Sequence, residues 1–186
     1  MFSTRTAQIE DVTKISNVLA LSWKTVYRGI VNDDYLNTLK DSHWVDFLNT
    51  RLNGDDVFSL VLLENEEIIG TSVLGKSEKE NEIHLISLYL LPEKIGQGLG
   101  HIFYNEIEKE IKTRRYPKCV LDVFENNIRA IDFYKAHGFV DTYKRATTTL
   151  GKQDYPYIIM EKHFDQNILE TDVSGHERLY PLSKCS

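Results

Sequence analysis

The sequence predicts an α/β (α+β) domain: a mixed, mostly antiparallel sheet of six to seven strands, helices on both faces, and a central parallel strand pair that splays apart. Three observations carry this expectation. Residues 82–91 form a run that is apolar on both faces, with Ile83, Leu85, Tyr89 and Leu91 against Ile86, Leu88 and Leu90. A strand of that kind must be covered on both sides. After Pro92 comes a glycine-rich turn, Gly96-Gln97-Gly98-Leu99-Gly100, and then a helical pattern carrying Phe103, Ile107 and Ile111. A second strand follows at 118–123, with a helix capped by Asn126 or Asn127 that carries Ala130, Phe133 and Tyr134 and stops at Gly138. Strand, helix, strand, helix in that order sets the two strands parallel or nearly so and lets them part beyond the glycine turn.

The other elements fall around this centre. Residues 2–7 read as a short first strand. Asp11 is the expected N-cap of a helix that runs through Val12, Ile15, Val18, Leu19 and Leu21 to Trp23 or Val26. Asn32-Asp33-Asp34 caps a short helix through Leu39. A further helix is expected from about Ser42 to Leu52, with Trp44, Phe47 and Leu48 as its apolar face. Strands at 57–63 and 68–75 are joined by a hairpin turn at 64–67, and a polar turn at 77–81 leads into the central strand. Residues 140–149 and 157–162 supply the last two strands around Gly151-Lys152. Beyond Phe164 the apolar pattern thins. This divides the chain into one domain, 1–164, and a tail, 165–186, with at most a docked segment at 179–182.

The chain has 186 residues, of which 41% are hydrophobic and 27% charged, as expected of one globular domain with a sizeable core. A net charge of −6 argues against nucleic acid as a partner and is compatible with a cationic amine. The Asp33-Asp34 and Asp55-Asp56 pairs fit either attraction of such a cation or turn chemistry. Cys119 lies in a core strand and Cys185 is next to last, which predicts neither a disulfide nor a metal site and makes the cytoplasm the expected location. No apolar run reaches transmembrane length, and the start of the chain lacks the pattern of a signal peptide.

The chemistry concentrates at the glycine turn. Glycine takes positive φ and lets a phosphate approach its amides, while the positive end of the helix dipole points at the same spot. The Lys-Ser/Thr of a P-loop is absent, and glycines at 96, 98 and 100 do not make G-x-G-x-x-G.

Asn127-Ile128-Arg129-Ala130, with Phe133-Tyr134 and Gly138-Phe139, resembles the N-x-x-A…F-Y…G-F signature of the GNAT acetyltransferase superfamily. Residues 88–93 followed by Gly96-Gln97-Gly98-Leu99-Gly100 resemble that superfamily's acetyl-coenzyme A motif, Q/R-x-x-G-x-G/A. The resemblance spans roughly residues 9–162, with its specific part at 82–139. Trp23, Tyr27 and Arg28 are similar to the W-x-x-x-Y-R-G stretch of many bacterial small-molecule members. They read either as core packing or as a wall of the acceptor pocket. One position departs from the pattern: Ile95 stands where Gln or Arg is usual, so diphosphate binding would rest on main-chain amides, helped by Lys94 or Gln97.

The resemblance implies a GNAT-like sheet, acetyl-coenzyme A as co-substrate with no metal, and direct transfer in a ternary complex to a primary amine of a small molecule or peptide. Ile95, Gly96, Gln97, Gly98, Leu99, Gly100 and His101 would hold the diphosphate. Leu88, Tyr89 and Leu90 would offer a strand edge to the pantetheine arm, and the N–H near Leu90 would polarise the thioester carbonyl. Asn127, Ala130, Phe133 and Tyr134 complete the cofactor-binding set; for Asn127 a plain helix cap is the alternative.

Tyr134 lies two helical turns past Asn127 on the same face. A phenol, with an ordinary pKa of about 10, can protonate a departing thiolate, and the resemblance assigns Tyr134 that acid role; packing of the helix on the sheet is the alternative. His84 stands where some superfamily members keep a catalytic glutamate, and Glu82 shares its strand face. Both are candidate bases, with water or Ser87 as a relay in their place. His101 is expected to meet a phosphate or solvent. An exposed sheet edge or the tail offers a route to a homodimer. A module that binds acyl-coenzyme A without transferring it would carry the same motifs.

Overall fold

The computed structural model describes residues 1–54, 57–77 and 79–165. Asp55-Asp56, Cys185, the segment at 179–182 and nearly all of the expected tail therefore lie outside the described residues. Seven strands form one sheet in the order β1-β2-β3-β4-β5-β7-β6. The strands are β1 (Phe2–Thr6), β2 (Val57–Glu64), β3 (Glu67–Lys76), β4 (Glu82–Leu90), β5 (Lys118–Phe124), β6 (Val140–Leu150) and β7 (Gln153–His163). The helices are α1 (Val12–Val26), α2 (Asp33–Thr38), α3 (Val45–Leu52), α4 (Leu99–Thr113) and α5 (Ile128–Ala136). All neighbours are antiparallel except β4 and β5. This is the mixed, helix-flanked sheet that the sequence predicts.

The two faces are covered by different helices. On one, Phe103, Tyr104, Ile107 and Ile111 of α4 and Ile131 of α5 pack against Leu60, Leu62, Ile83, Leu85 and Leu121. Each such fully buried side chain contributes about 1.5–3 kcal/mol relative to exposure. On the other, Ile15, Val18 and Leu19 of α1 and Leu48 of α3 pack against Val61, Leu63 and Val73. A third cluster of Tyr27, Leu36, Leu39 and Tyr155 fastens α2 to the ends of β5 and β7.

Two of the helices, α2 and α5, begin at a side-chain cap. Asn32 accepts from the Asp34 and Tyr35 amides and caps α2. The turn between β2 and β3 places Asn65 and Glu66 at φ of 49° and 73°, as a tight hairpin requires. Three boundaries differ from expectation. Helix α3 begins at Val45, because residues 41–44 form a turn whose Trp44 amide donates to Ser16 Oγ at 3.1 Å. β7 begins at Gln153, earlier than the expected 157. Asp11 precedes α1, but its carboxylate caps no amide of that helix. It accepts instead from the Arg5 guanidinium at 2.6 and 2.9 Å and from the Gln8 amide at 2.8 Å.

The site is set by an irregularity in β4. Val73 of β3 pairs with Ser87, but Leu74 pairs with Leu85, so Ile86 has no partner. This β-bulge swaps the faces of the strand. The row that starts with Ile83 and Leu85 continues through Leu88 and Leu90 on the α4 side, while Tyr89 turns to the α1 side. The expectation that grouped Tyr89 with Ile83 and Leu85 fails past residue 85, since counting by twos has no place for an extra residue. On its other edge β4 pairs with β5 over only three positions, ending at His84↔Val120. Beyond them the strands part.

Two outcomes follow. Ile86 is half exposed, so Ile86→Ala should change stability by less than about 1 kcal/mol. Deleting Ile86 should likewise keep the fold, because Leu85, Ser87, Leu88, Tyr89 and Leu90 would then alternate regularly between the faces in the same register with β3; urea unfolding midpoints of both variants check this. Arg5 and the Gln8 amide hold the Asp11 carboxyl below its ordinary range against the opposing effect of burial. Its contribution is thus complete above the unfolded carboxylate pKa of about 4 and is lost as pH falls through the lower folded value. Asp11→Asn should flatten that acid limb in melts taken between pH 7 and 3.

Candidate active site

The open gap between β4 and β5 is the floor of a cavity of about 660 Å³, lined by Leu85–Leu90, the glycine turn, and the cavity-facing side of α5. At its mouth the chain leaves β4 through a short 3₁₀ turn, Pro92–Lys94, and enters α4. Gly96 and Gly98 have φ of 86° and 77°. Those values are costly for any residue with a Cβ. Gly100 serves another purpose, since a Cβ there would lie 3.3 Å from the Phe133 ring and push α4 from α5. Among the described residues, none of the five consecutive amides from 96 to 100 donates a hydrogen bond. The last two belong to the first turn of α4, where helix geometry leaves N–H groups without internal acceptors. Five free donors and a helix N-terminus lie together, an arrangement suited to an anion.

The side chains expected to assist there are committed elsewhere. Lys94 pairs with Glu64. Gln97 Nε2 donates to the Glu93 carbonyl at 2.6 Å. Leu99 is buried and offers only its amide. Ile95 lines the cavity. His101 also lines it, and its Nδ1 sits 2.9 Å from His137 Nε2, a contact that the sequence did not suggest.

Along the gap, the backbone of β4 is the second recognition surface. Leu91 donates to Ile69 of β3 at 2.8 Å. Alternation then turns the N–H groups of Leu90 and Leu88 away from β3 and into the gap. The carbonyl of Leu90 is taken by Ser22 of α1, whose Oγ donates to it at 2.7 Å. Ser22 is fully buried and ties helix to strand just where the strand has lost its neighbour.

Across the gap, Asn127 Oδ1 accepts from the Ala130 amide at 3.2 Å, so it caps α5. The same residue is buried, lines the cavity and keeps its side-chain NH₂ for another partner. Ala130 and Phe133 complete this wall. Tyr134 lines the cavity from α5, and burial pushes its phenol well above the ordinary tyrosine value. Close by, Tyr27 and Tyr89 share a hydrogen bond of 2.7 Å, and burial raises both phenols. Trp23 packs on Tyr27 at 4.6 Å between ring centres. Tyr27 and Tyr89 are therefore packed and also border the cavity, whereas Trp23 packs on Tyr27 outside the lining.

The candidate bases are placed differently. Glu82 opens β4, away from the cavity lining; its carboxylate meets Lys118 Nζ at 2.6 Å and Ser77 Oγ at 2.7 Å. Burial would raise its pKa, but the Lys118 and Ser77 hydrogen bonds prevail and lower it. His84 is likewise outside the lining, and its Nε2 lies 3.4 Å from Asp122 Oδ2. Asp122, unlike His84, does line the cavity. Sequence reasoning passed over Asp122, Ser22 and Arg129. Asp122 had a visible signal, a lone acid inside the apolar run Val120-Leu121-Asp122-Val123, whereas Ser22 had none. Cys119 is buried, with its thiol pushed up to about 12 by burial, so no thiolate nucleophile stands on β5.

A gap with free strand amides, a row of free amides at one end and a buried phenol on its wall can hold an anionic ligand that carries amides of its own. Comparison with known proteins agrees. Residues 23–139 match the model of the acetyltransferase (GNAT) family, and the chain belongs to that family. It is 30% identical over 141 residues to the uncharacterized N-acetyltransferase YuaI of Bacillus subtilis, a match that covers 74% of this chain and 79% of YuaI. It is 28% identical to a spermidine N(1)-acetyltransferase of Thermoplasma acidophilum, over 73% of this chain and 86% of that one. The crystal structure of PaiA N-acetyltransferase from Thermoplasma acidophilum in complex with coenzyme A superposes with a TM-score of 0.73 at 25% identity, covering 88% of this chain and 99% of that one.

Gly98→Ala tests the amide row. Nothing lies within 4 Å of the added methyl, so its only cost is the positive φ, roughly 1–2 kcal/mol. Relief of that strain should turn the row and weaken coenzyme A binding at least about tenfold, with the fold retained; calorimetric titration and a melting curve report both.

Proposed function

We propose that this chain transfers the acetyl group of acetyl-coenzyme A directly to a primary amine of a small molecule or peptide, with both substrates bound at once. Residues 1–164 act as one catalytic domain in the cytoplasm. The observation that carries this reading is the row of five free amides at the mouth of a strand gap whose wall presents Tyr134. The diphosphate binds at 96–100. The pantetheine arm then lies along the gap as a substitute strand, with its amides paired to the edge of β4 and to the Asn127 side chain. The N–H of Leu90 or Leu88 polarises the thioester carbonyl as charge develops on its oxygen.

The amine attacks in its neutral form, having lost one proton to water in the cleft. The C–N bond forms, the C–S bond breaks, and the thiolate takes the Tyr134 proton. The second amine proton restores the phenol. Burial keeps Tyr134 protonated at neutral pH, and the same dry surroundings destabilise a naked thiolate, which drives the transfer toward sulfur. Among the candidate bases, His84 reaches the cleft only by way of Asp122, and Glu82 is held in its ion pair with Lys118. The relative named spermidine N(1)-acetyltransferase supports a cationic small amine as acceptor.

Ile95, in the place of the usual Gln or Arg, favours a second reading, an acyl-coenzyme A-binding module without transfer. Release of free thiol from acetyl-coenzyme A across a panel of amines separates the two. In the catalytic reading, Tyr134→Phe should lower kcat by about 10²-fold or more and leave coenzyme A affinity within about twofold of the parent. Full activity in that variant would remove the phenol from the mechanism.

A further inference from the structure

Asp122 is an unusual residue for a central strand. Its neighbours Leu121 and Val123 are buried in the α4-side core, so Asp122 faces the other side of the sheet, as does Phe124. Phe124 packs on Tyr27 at 5.1 Å and on Trp23 at 6.4 Å between ring centres. The Asp122 side chain is 40% exposed and lines the cavity just past the last β4–β5 pair. Other carboxylates on that stretch of sheet have cationic partners: Lys118 lies 2.6 Å from Glu82 and 3.7 Å from Glu161. Among the described residues the one ionic neighbour of Asp122 is His84, at 3.4 Å. The Tyr27 hydroxyl, which borders the same cavity, is already engaged with Tyr89. A carboxylate in mid-strand, beside an aromatic wall and with no lysine or arginine paired to it among the described residues, has capacity for a cation that comes from outside, although Arg129 lines the same cavity.

We propose that Asp122 is the docking carboxylate for the acceptor's ammonium group, selecting a primary alkylammonium and holding it at the closed end of the gap. This rests on the reading of the gap as an acetyl-transfer cleft: an arm laid from the amide row along Leu90 and Leu88 ends beside Asp122, so an amine held there faces the thioester. The contact is a charge-assisted hydrogen bond, stronger than one between neutral groups. His84 stands behind Asp122 as a positioning residue.

The test is calorimetric. The wild-type complex with coenzyme A is titrated with butylamine, 1,4-diaminobutane and, as an uncharged control, butanol. Both amines should bind and the alcohol should not. Asp122→Asn should weaken amine binding at least about tenfold with coenzyme A affinity unchanged, and Asp122→Glu, which keeps the charge, should recover part of it. Should the asparagine variant not fold, Asp122→Ser reads the same quantity. Equal amine affinity in the uncharged variant overturns the proposal. So does a wild-type complex that ignores amines, or a variant that loses coenzyme A and amine together. Amine binding by a wild type that releases no thiol would instead sink the transfer reading and leave the docking role standing.

Discussion

Beyond His84 and Val120 the central strands stop pairing, although β4 has six residues left and β5 four. Main-chain donors and acceptors in the middle of a sheet must find partners, because an unpaired buried group costs about as much as a lost hydrogen bond. In most folds the neighbouring strand supplies them. Here the neighbouring strand leaves them free, and a ligand that carries its own amides could take them. The same logic governs the turn at 96–100, where five more N–H groups converge on one spot. In the proposed function, affinity for the coenzyme comes mainly from these withheld backbone hydrogen bonds, and side chains decide what happens to the thioester.

Holding such a gap open requires support from both faces. The unpaired Ile86 lets β4 keep its register with β3 while it bends from β5. On one face Leu88 and Leu90 sit on the α4 core, and Gly100 lets α4 and α5 approach through the Phe133 ring. On the other, Ser22 binds the Leu90 carbonyl, and the Tyr27–Tyr89 hydrogen bond joins α1 to the end of β4. A gap fixed in this way is ready for its ligand before the ligand comes, which lowers the ordering cost of binding.

Charge is distributed with similar economy. The phenols of Tyr27, Tyr89 and Tyr134 are all raised by burial, so this wall of the cleft is protonated and neutral at pH 7. Asp122 of β5 borders the same cavity, as does Asp132 of α5.

Much of this was readable without coordinates. Hydrophobic periodicity and helix caps gave the order and type of the elements, because burial of an apolar face and satisfaction of helix ends are local requirements. The glycines at 96, 98 and 100 and the Asn127–Tyr134 spacing pointed to the cleft, because positive φ and helical repeat are properties of short segments. Contacts between residues distant in the chain were settled only by the tertiary structure: the extra residue at Ile86, which redistributes the faces of β4; the capture of Lys94 by Glu64; the hydrogen bond from Ser22 to Leu90; and the placement of Asp122 between His84 and the cavity. Each depends on which strand lies beside which, and a linear pattern carries no record of that choice.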